Sequence, residues 1–210
     1  QLEETKTTEG IFAPWMMHKK EFTEILGGHD PKMHSCREDS DIFNRMLLAE
    51  FNFIQPWNSL VYHLTGRGAG SFGGDEKRHE QWKKDMDKST LEFIRKWGTG
   101  VKHTALMKPI VVPVYKKSII IKNSNPQIEQ ALEPWFNNGD GIIVEVDGAT
   151  FTNEDYIYIQ QLNEILAESV FLEEDFGDKF EVGNLKLTVN NIETIEKDFI
   201  KWKSTTIKQN

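Results

Sequence analysis

A chain of 210 residues with 38% apolar side chains is long enough for one large domain or two small ones, and it carries a net charge of -8 at pH 7. The charge is unevenly placed: residues 1–108 hold 16 basic and 16 acidic side chains, which leaves 9 and 17 of the 25 and 33 in the chain for residues 109–210. An acidic second half argues against a nucleic-acid partner, and no apolar run approaches the roughly 20 residues of a membrane span. The single cysteine, Cys36, cannot form an internal disulfide, so a reducing, cytoplasmic setting is expected.

In chain order, "GIFAPWMMHKKEF" at residues 10–22 predicts a strand, with Pro14 at an edge or bulge because proline has no N–H to give to a ladder. "GGHDPK" at residues 27–32 predicts a turn. From Asp41, Ile42, Phe43, Met46, Leu47 and Phe51 recur at helical spacing, with Asp39 or Ser40 expected as the cap. "FNFIQPW" and "SLVYHL" predict short strands, "TGRGAGSFGG" a loop, and Asp75 to Trp97 a long charged helix stopped by Gly98.

After Pro109, "IVVPVYKKSIIIKNS" and "GIIVEVDG" predict strands on either side of a short helix opened by Pro126. Thr152 and Asp155 form the pattern of a capping box before a helical run through Tyr156, Ile159, Leu162 and Leu166. "FEVGNLKLTVN" predicts a hairpin and "IETIEKDFIKW" a closing helix. Charge and glycine placement predict two units, residues 1–108 and an acidic accessory domain at 109–210, in a fold of the α+β class.

The chemistry-bearing feature is the knot of acids Glu38, Asp39 and Asp41. Carboxylates at a helix start satisfy the unpaired N–H groups there and the positive end of the dipole, which is one sufficient account of them. A carboxylate fixed on a helix start at the mouth of a cleft can also take a proton from an attacking hydroxyl, which is the second. Three other patterns are weaker on context. "GAGSFG" at residues 68–73 lacks the second parallel strand of a dinucleotide site, and His29, His34 and Cys36 lack a fourth zinc ligand. Cys36 beside His34 is not how a thiol and its base are brought together.

The segment from "GIFAPWMMHKKEF" through "GGHD", "ED" with "DIFNR", and "VYH" before a glycine-rich loop resembles the latter half of the catalytic domain of family 2 glycosyltransferases, over about residues 10–98. The resemblance implies a partial GT-A-like α/β segment followed by a small α+β module. It implies inverting transfer of a sugar from a nucleotide-sugar to a carbohydrate or glycan acceptor, with Asp39 as base and Glu38 beside it but turned elsewhere. It implies His63 as a ligand to a divalent metal, Mn or Mg, in the complete enzyme, Arg67 on the donor phosphate side, and Trp15 and Asp30 on the acceptor side. No nucleotide-binding α/β half with an Asp-x-Asp motif precedes these pieces, so the expectation is a fragment that holds neither metal nor donor by itself. The alternative is a non-catalytic binding or assembly module that keeps part of the fold. Residues 109–210 resemble no family, and their Asp147 and Glu173, Glu174, Asp175 read as turn and solvated surface.

Overall fold

The computed structural model describes residues 6–34, 36–62, 76–139, 141–170, 179–189, 202 and 206. It is mixed helix and strand, an α+β arrangement, and it divides into two compact units: residues 1–93, 101–111 and 205–210 form the first, residues 94–100 and 112–204 the second. No described helix is long and apolar enough to cross a membrane.

In the first unit, β1 (Thr7–Thr8) pairs antiparallel with β2 (Gln55–Pro56). The strand expected at residues 10–22 is replaced by irregular chain containing a cis Ala13–Pro14 bond, followed by a π-helical turn at Glu21–Ile25. A run of β-formers makes a strand only where a partner supplies the ladder, and β2 is used by Thr7 and Thr8 instead. Of the two strands expected after Phe51, Gln55–Pro56 forms, whereas residues 59–62 of the second lie outside any strand and His63 and Leu64 fall outside the described residues. The helix α1 (Glu38–Leu48) starts earlier than periodicity suggested, so Asp39 and Ser40 sit inside its first turn and Arg37 occupies the cap without a side-chain bond. Residues Asp41 to Met46 are all buried, because this helix is covered on several sides. Its Ile42, Phe43 and Met46 meet Leu26 and Phe53 in the core of the unit. The charged helix α2 (Glu76–Trp97) ends at Gly98 as the glycine implied.

The second unit is a four-stranded sheet in the order β3-β4-β6-β5. The strand β3 (Lys117–Lys122) runs parallel to β4 (Ile142–Asp147), with α3 (Pro126–Leu132) on the crossover between them. The hairpin β5 (Lys179–Val182) and β6 (Leu185–Val189) is antiparallel and joins the sheet through β4. Alternation buries Ile142, Val144 and Val146 on one face, where they meet Ile159, Leu162 and Leu166 of α4 (Asn153–Val170) at helical spacing. Each such side chain contributes about 1.5–3 kcal/mol by leaving water. The closing helix expected over residues 192–202 lies outside the described residues apart from Trp202, as do Glu173, Glu174 and Asp175.

Thr152 and Asp155 form the capping box. The Asp155 N–H donates to Thr152 Oγ1 at 3.2 Å, while Asp155 Oδ2 accepts from the Thr152 N–H at 2.8 Å. Asp155 Oδ1 also accepts from the Asn184 N–H at 3.4 Å, tying the cap to the hairpin turn. Thr152→Ala should therefore lower the stability of the second unit by about 1 kcal/mol, read as the shift in urea midpoint, and an unchanged midpoint would mean the box is ornamental.

Candidate functional site

The first unit contains a cavity of about 350 Å³ to which the first turn of α1 contributes Glu38, Asp39 and Ser40. The turn that feeds this helix is clipped to α2 at three points. The His34 N–H donates to Ser89 Oγ at 3.1 Å, Cys36 Sγ to the Met86 carbonyl at 3.4 Å, and Arg37 Nε to Thr90 Oγ1 at 3.3 Å. Arg37 is held at φ 73°, a left-handed conformation that costs an ordinary residue roughly 1–2 kcal/mol, so the chain enters the helix at an imposed angle.

Asp39 Oδ1 accepts a hydrogen bond from the indole N–H of Trp15 at 3.0 Å. Trp15 itself is half-buried, edge-on to Phe43 at 5.9 Å and tilted against Phe22 at 6.1 Å. Trp15, expected on the acceptor side, does not line the cavity, and its indole N–H fixes the side chain of Asp39. Glu38 lines the same cavity as Asp39. Its Oε2 is buried with no hydrogen-bond partner, the one such side-chain oxygen or nitrogen among the described residues. A buried acceptor left unpaired costs about 1–3 kcal/mol, more if charged.

Asp30 lies in the turn after the glycines, where its carboxylate accepts from the Lys32 N–H at 3.0 Å, and it is not part of the cavity lining. His63 and Arg67, and with them the "GAGSFG" loop, lie outside the described residues. His29 meets Phe22 edge-on at 5.2 Å, and among the described residues no three His, Cys, Asp or Glu side chains come together to hold a metal. Burial pushes the Cys36 thiol up from its ordinary pKa, with the hydrogen bond from Thr90 acting the other way, so it is a protonated thiol at neutral pH and a poor nucleophile.

The third acid of the knot has a structural role. Asp41 and Arg45 are both fully buried one helical turn apart, with Arg45 Nη2 2.7 Å from Asp41 Oδ2. The guanidinium also donates to the carbonyls of Leu26 and, at 2.7 Å, Gly28. Gly27 and Gly28 have φ of 75° and 79°, where a side chain would be strained, so the "GG" turn is shaped to present its carbonyls to the arginine of "DIFNR".

Sequence reasoning missed the far part of the lining. Residues 101–109 carry no element in the sequence reading, yet Val101, Lys102, His103, Met107 and Pro109 all line the cavity. This segment folds back on itself: the Ile110 N–H donates to the Lys102 carbonyl at 3.0 Å and the Thr104 N–H to that of Lys108 at 2.8 Å. Gly10 lets it approach, because a Cβ there would stand 2.0 Å from the Leu106 carbonyl oxygen. No local pattern announces such a contact, which joins residues almost a hundred positions apart. No family model matches the chain, and neither curated proteins nor solved structures give a match.

Proposed function

We propose that the first unit carries the acceptor side of an inverting sugar transferase that uses a nucleotide-sugar, with Asp39 as the base. The supporting observation is that Asp39 lines a cavity from the first turn of a buried helix while Trp15 holds its Oδ1, so the carboxylate is oriented before any substrate arrives. The resemblance of the segment around "ED", "DIFNR" and "GGHD" to family 2 glycosyltransferases supplies the reaction class.

In this reaction the acceptor hydroxyl passes its proton to Asp39 as its oxygen bonds to the anomeric carbon. The bond from that carbon to the nucleoside diphosphate breaks on the opposite face, and the pair of electrons leaves with the phosphate. A divalent metal in the complete enzyme would bear the charge of the leaving diphosphate. Among the described residues the carboxylates Glu38 and Asp39 do not by themselves make a metal site. His63 and Arg67 stay with the donor side in this proposal.

The test is Asp39→Asn in the protein that carries this segment. An amide oxygen accepts from Trp15 as the carboxylate does, and residue 39 is not the helix cap, so fold and donor affinity should hold. Transfer should fall by about 10²-fold or more. Trp15→Phe, which keeps the ring against Phe43 but removes the donor, should lower kcat without raising KM. Near-normal turnover by Asp39→Asn would sink the assignment and leave a binding or assembly module as the better reading.

A further inference from the structure

Elsewhere the molecule pairs its buried polar side chains, as with Asp41 and Arg45 in the first unit and Lys117 and Asn163 in the second. Glu38, the first residue of α1, departs from this habit, because its Oε2 is buried and accepts from nothing. The cation beside it in sequence is engaged elsewhere: Arg37 donates from Nε to Thr90 Oγ1 on α2 at 3.3 Å. A buried carboxylate oxygen without a donor works against folding, and whatever brings a donor to it recovers that loss.

Glu38 shares its cavity with Asp39, whose Oδ1 is already taken by the Trp15 indole. Consecutive helical residues point about 100° apart around the axis, so the two carboxylates address neighbouring positions of an occupant and not one shared atom. The cavity, about 350 Å³, stands at the lower end of the roughly 300–1,000 Å³ of small-molecule sites and suits a small occupant. Phe12, half exposed, with Phe43, Met107 and Pro109 gives it apolar wall, which matches the C–H face of a sugar ring. The guanidinium of Arg37 belongs to the same lining, so a cationic donor would meet a like charge there, whereas a neutral hydroxyl would not.

From this juxtaposition we infer that the acceptor is a neutral sugar with hydroxyls on adjacent carbons, and that Glu38 holds the hydroxyl next to the one Asp39 deprotonates. This deepens the sugar-transfer reading and rests on it. Glu38 then determines which hydroxyl reacts: the attacking oxygen is set against Asp39 only when its neighbour donates to Glu38 Oε2. An acceptor whose neighbouring hydroxyl is missing leaves that oxygen unpaired again and is rejected for it.

Titration of the full chain with the methyl glycosides of D-glucose, D-galactose and D-mannose, and with the monodeoxy analogues of each, tests this. Binding is followed by the backbone amide shifts of residues 36–44 and 101–108. On the wild type, two analogues of the sugar that binds should be weakened about tenfold, and the two missing hydroxyls should be on adjacent carbons. Glu38→Met, which keeps the length of the side chain and removes its oxygens, should abolish the penalty for one of the two and leave the other, which belongs to Asp39, in place. Glu38→Gln, whose amide oxygen still accepts, should keep part of the first penalty, and its conservative chemistry preserves the test if the methionine variant does not fold. Penalties that neither substitution changes mean that Oε2 is served by water alone, which overturns this inference and leaves the sugar reading standing. Sensitive hydroxyls on carbons that are not adjacent overturn it as well. Failure of all three sugars to bind overturns the sugar reading itself.

Discussion

Replacing Arg45 with methionine should cost the first unit about 3–5 kcal/mol, enough to leave it largely unfolded at ordinary stability margins. The size follows from what is stranded. Asp41 and Arg45 are both fully excluded from water, so removing the cation takes from the buried carboxylate the counter-charge that Arg45 gives it. The carbonyls of Leu26 and Gly28 lose their donor at the same time. The double replacement Asp41→Leu, Arg45→Met removes both charges, and should recover a substantial part of the loss because a buried pair is worth little against well-packed apolar groups. The measurement is the urea midpoint of each variant. A single-variant loss under about 1 kcal/mol would mean that water reaches Asp41 and that the pair is not the fastener described above.

A second large effect belongs to Lys117, which opens β3 in the second unit. It is 2% exposed, and its Nζ donates to Asn163 Oδ1 at 2.7 Å. Asn163 in turn donates to the Gly98 carbonyl at 2.9 Å, and Gly98 has φ of 65°, with no room for a Cβ beside the asparagine amide. Burial lowers the amine pKa from 10.5 to about 7. Arg95, bound to Glu133 with Nε 2.9 Å from Oε1, is the other charged side chain lining the same crevice.

The direction of the pH effect follows from proton counting. Between pH 7 and 10.5 the unfolded chain holds the proton and the folded chain has released it, so stability rises with pH across that window. The stabilisation is complete above the unfolded pKa and is lost as pH falls toward the folded one, with a span on the order of 4 kcal/mol. Lys117→Met should abolish this slope. At pH 7 the variant should be more stable than the wild type by about 1–3 kcal/mol, the gain being reduced because Asn163 Oδ1 loses its donor. Urea midpoints of both proteins at intervals from pH 7 to 9.5 give the comparison. Parallel curves would show that the amine is not buried neutral.

Where one residue and its near neighbours fix the outcome, the sequence alone was sufficient. Thr152 and Asp155 lie three apart and must meet if a helix starts there, Pro126 follows the asparagine that caps α3, and Gly98 stops α2. Alternation in "IIVEVD" and the glycine in "FEVGNLKL" likewise placed β4 and the hairpin, since strand period and turn chemistry are local properties. The acids of α1 were visible as a group, but their division of labour was not. Asp41 is a buried ion-pair partner because Arg45 is four residues on and the Leu26 and Gly28 carbonyls are within its reach, and Asp39 is a held carboxylate because Trp15 folds back from 24 positions away. The strand expected at residues 10–22 failed for a related reason: β propensity is a fit to a neighbouring strand, and no sequence pattern states which neighbour is present. The cavity depended most on tertiary structure, for Lys102 and His103 have neither period nor motif in common with Glu38 and Asp39. Only the close approach allowed by Gly10, where a methyl group would collide with the Leu106 carbonyl, brings the two charge types to one space.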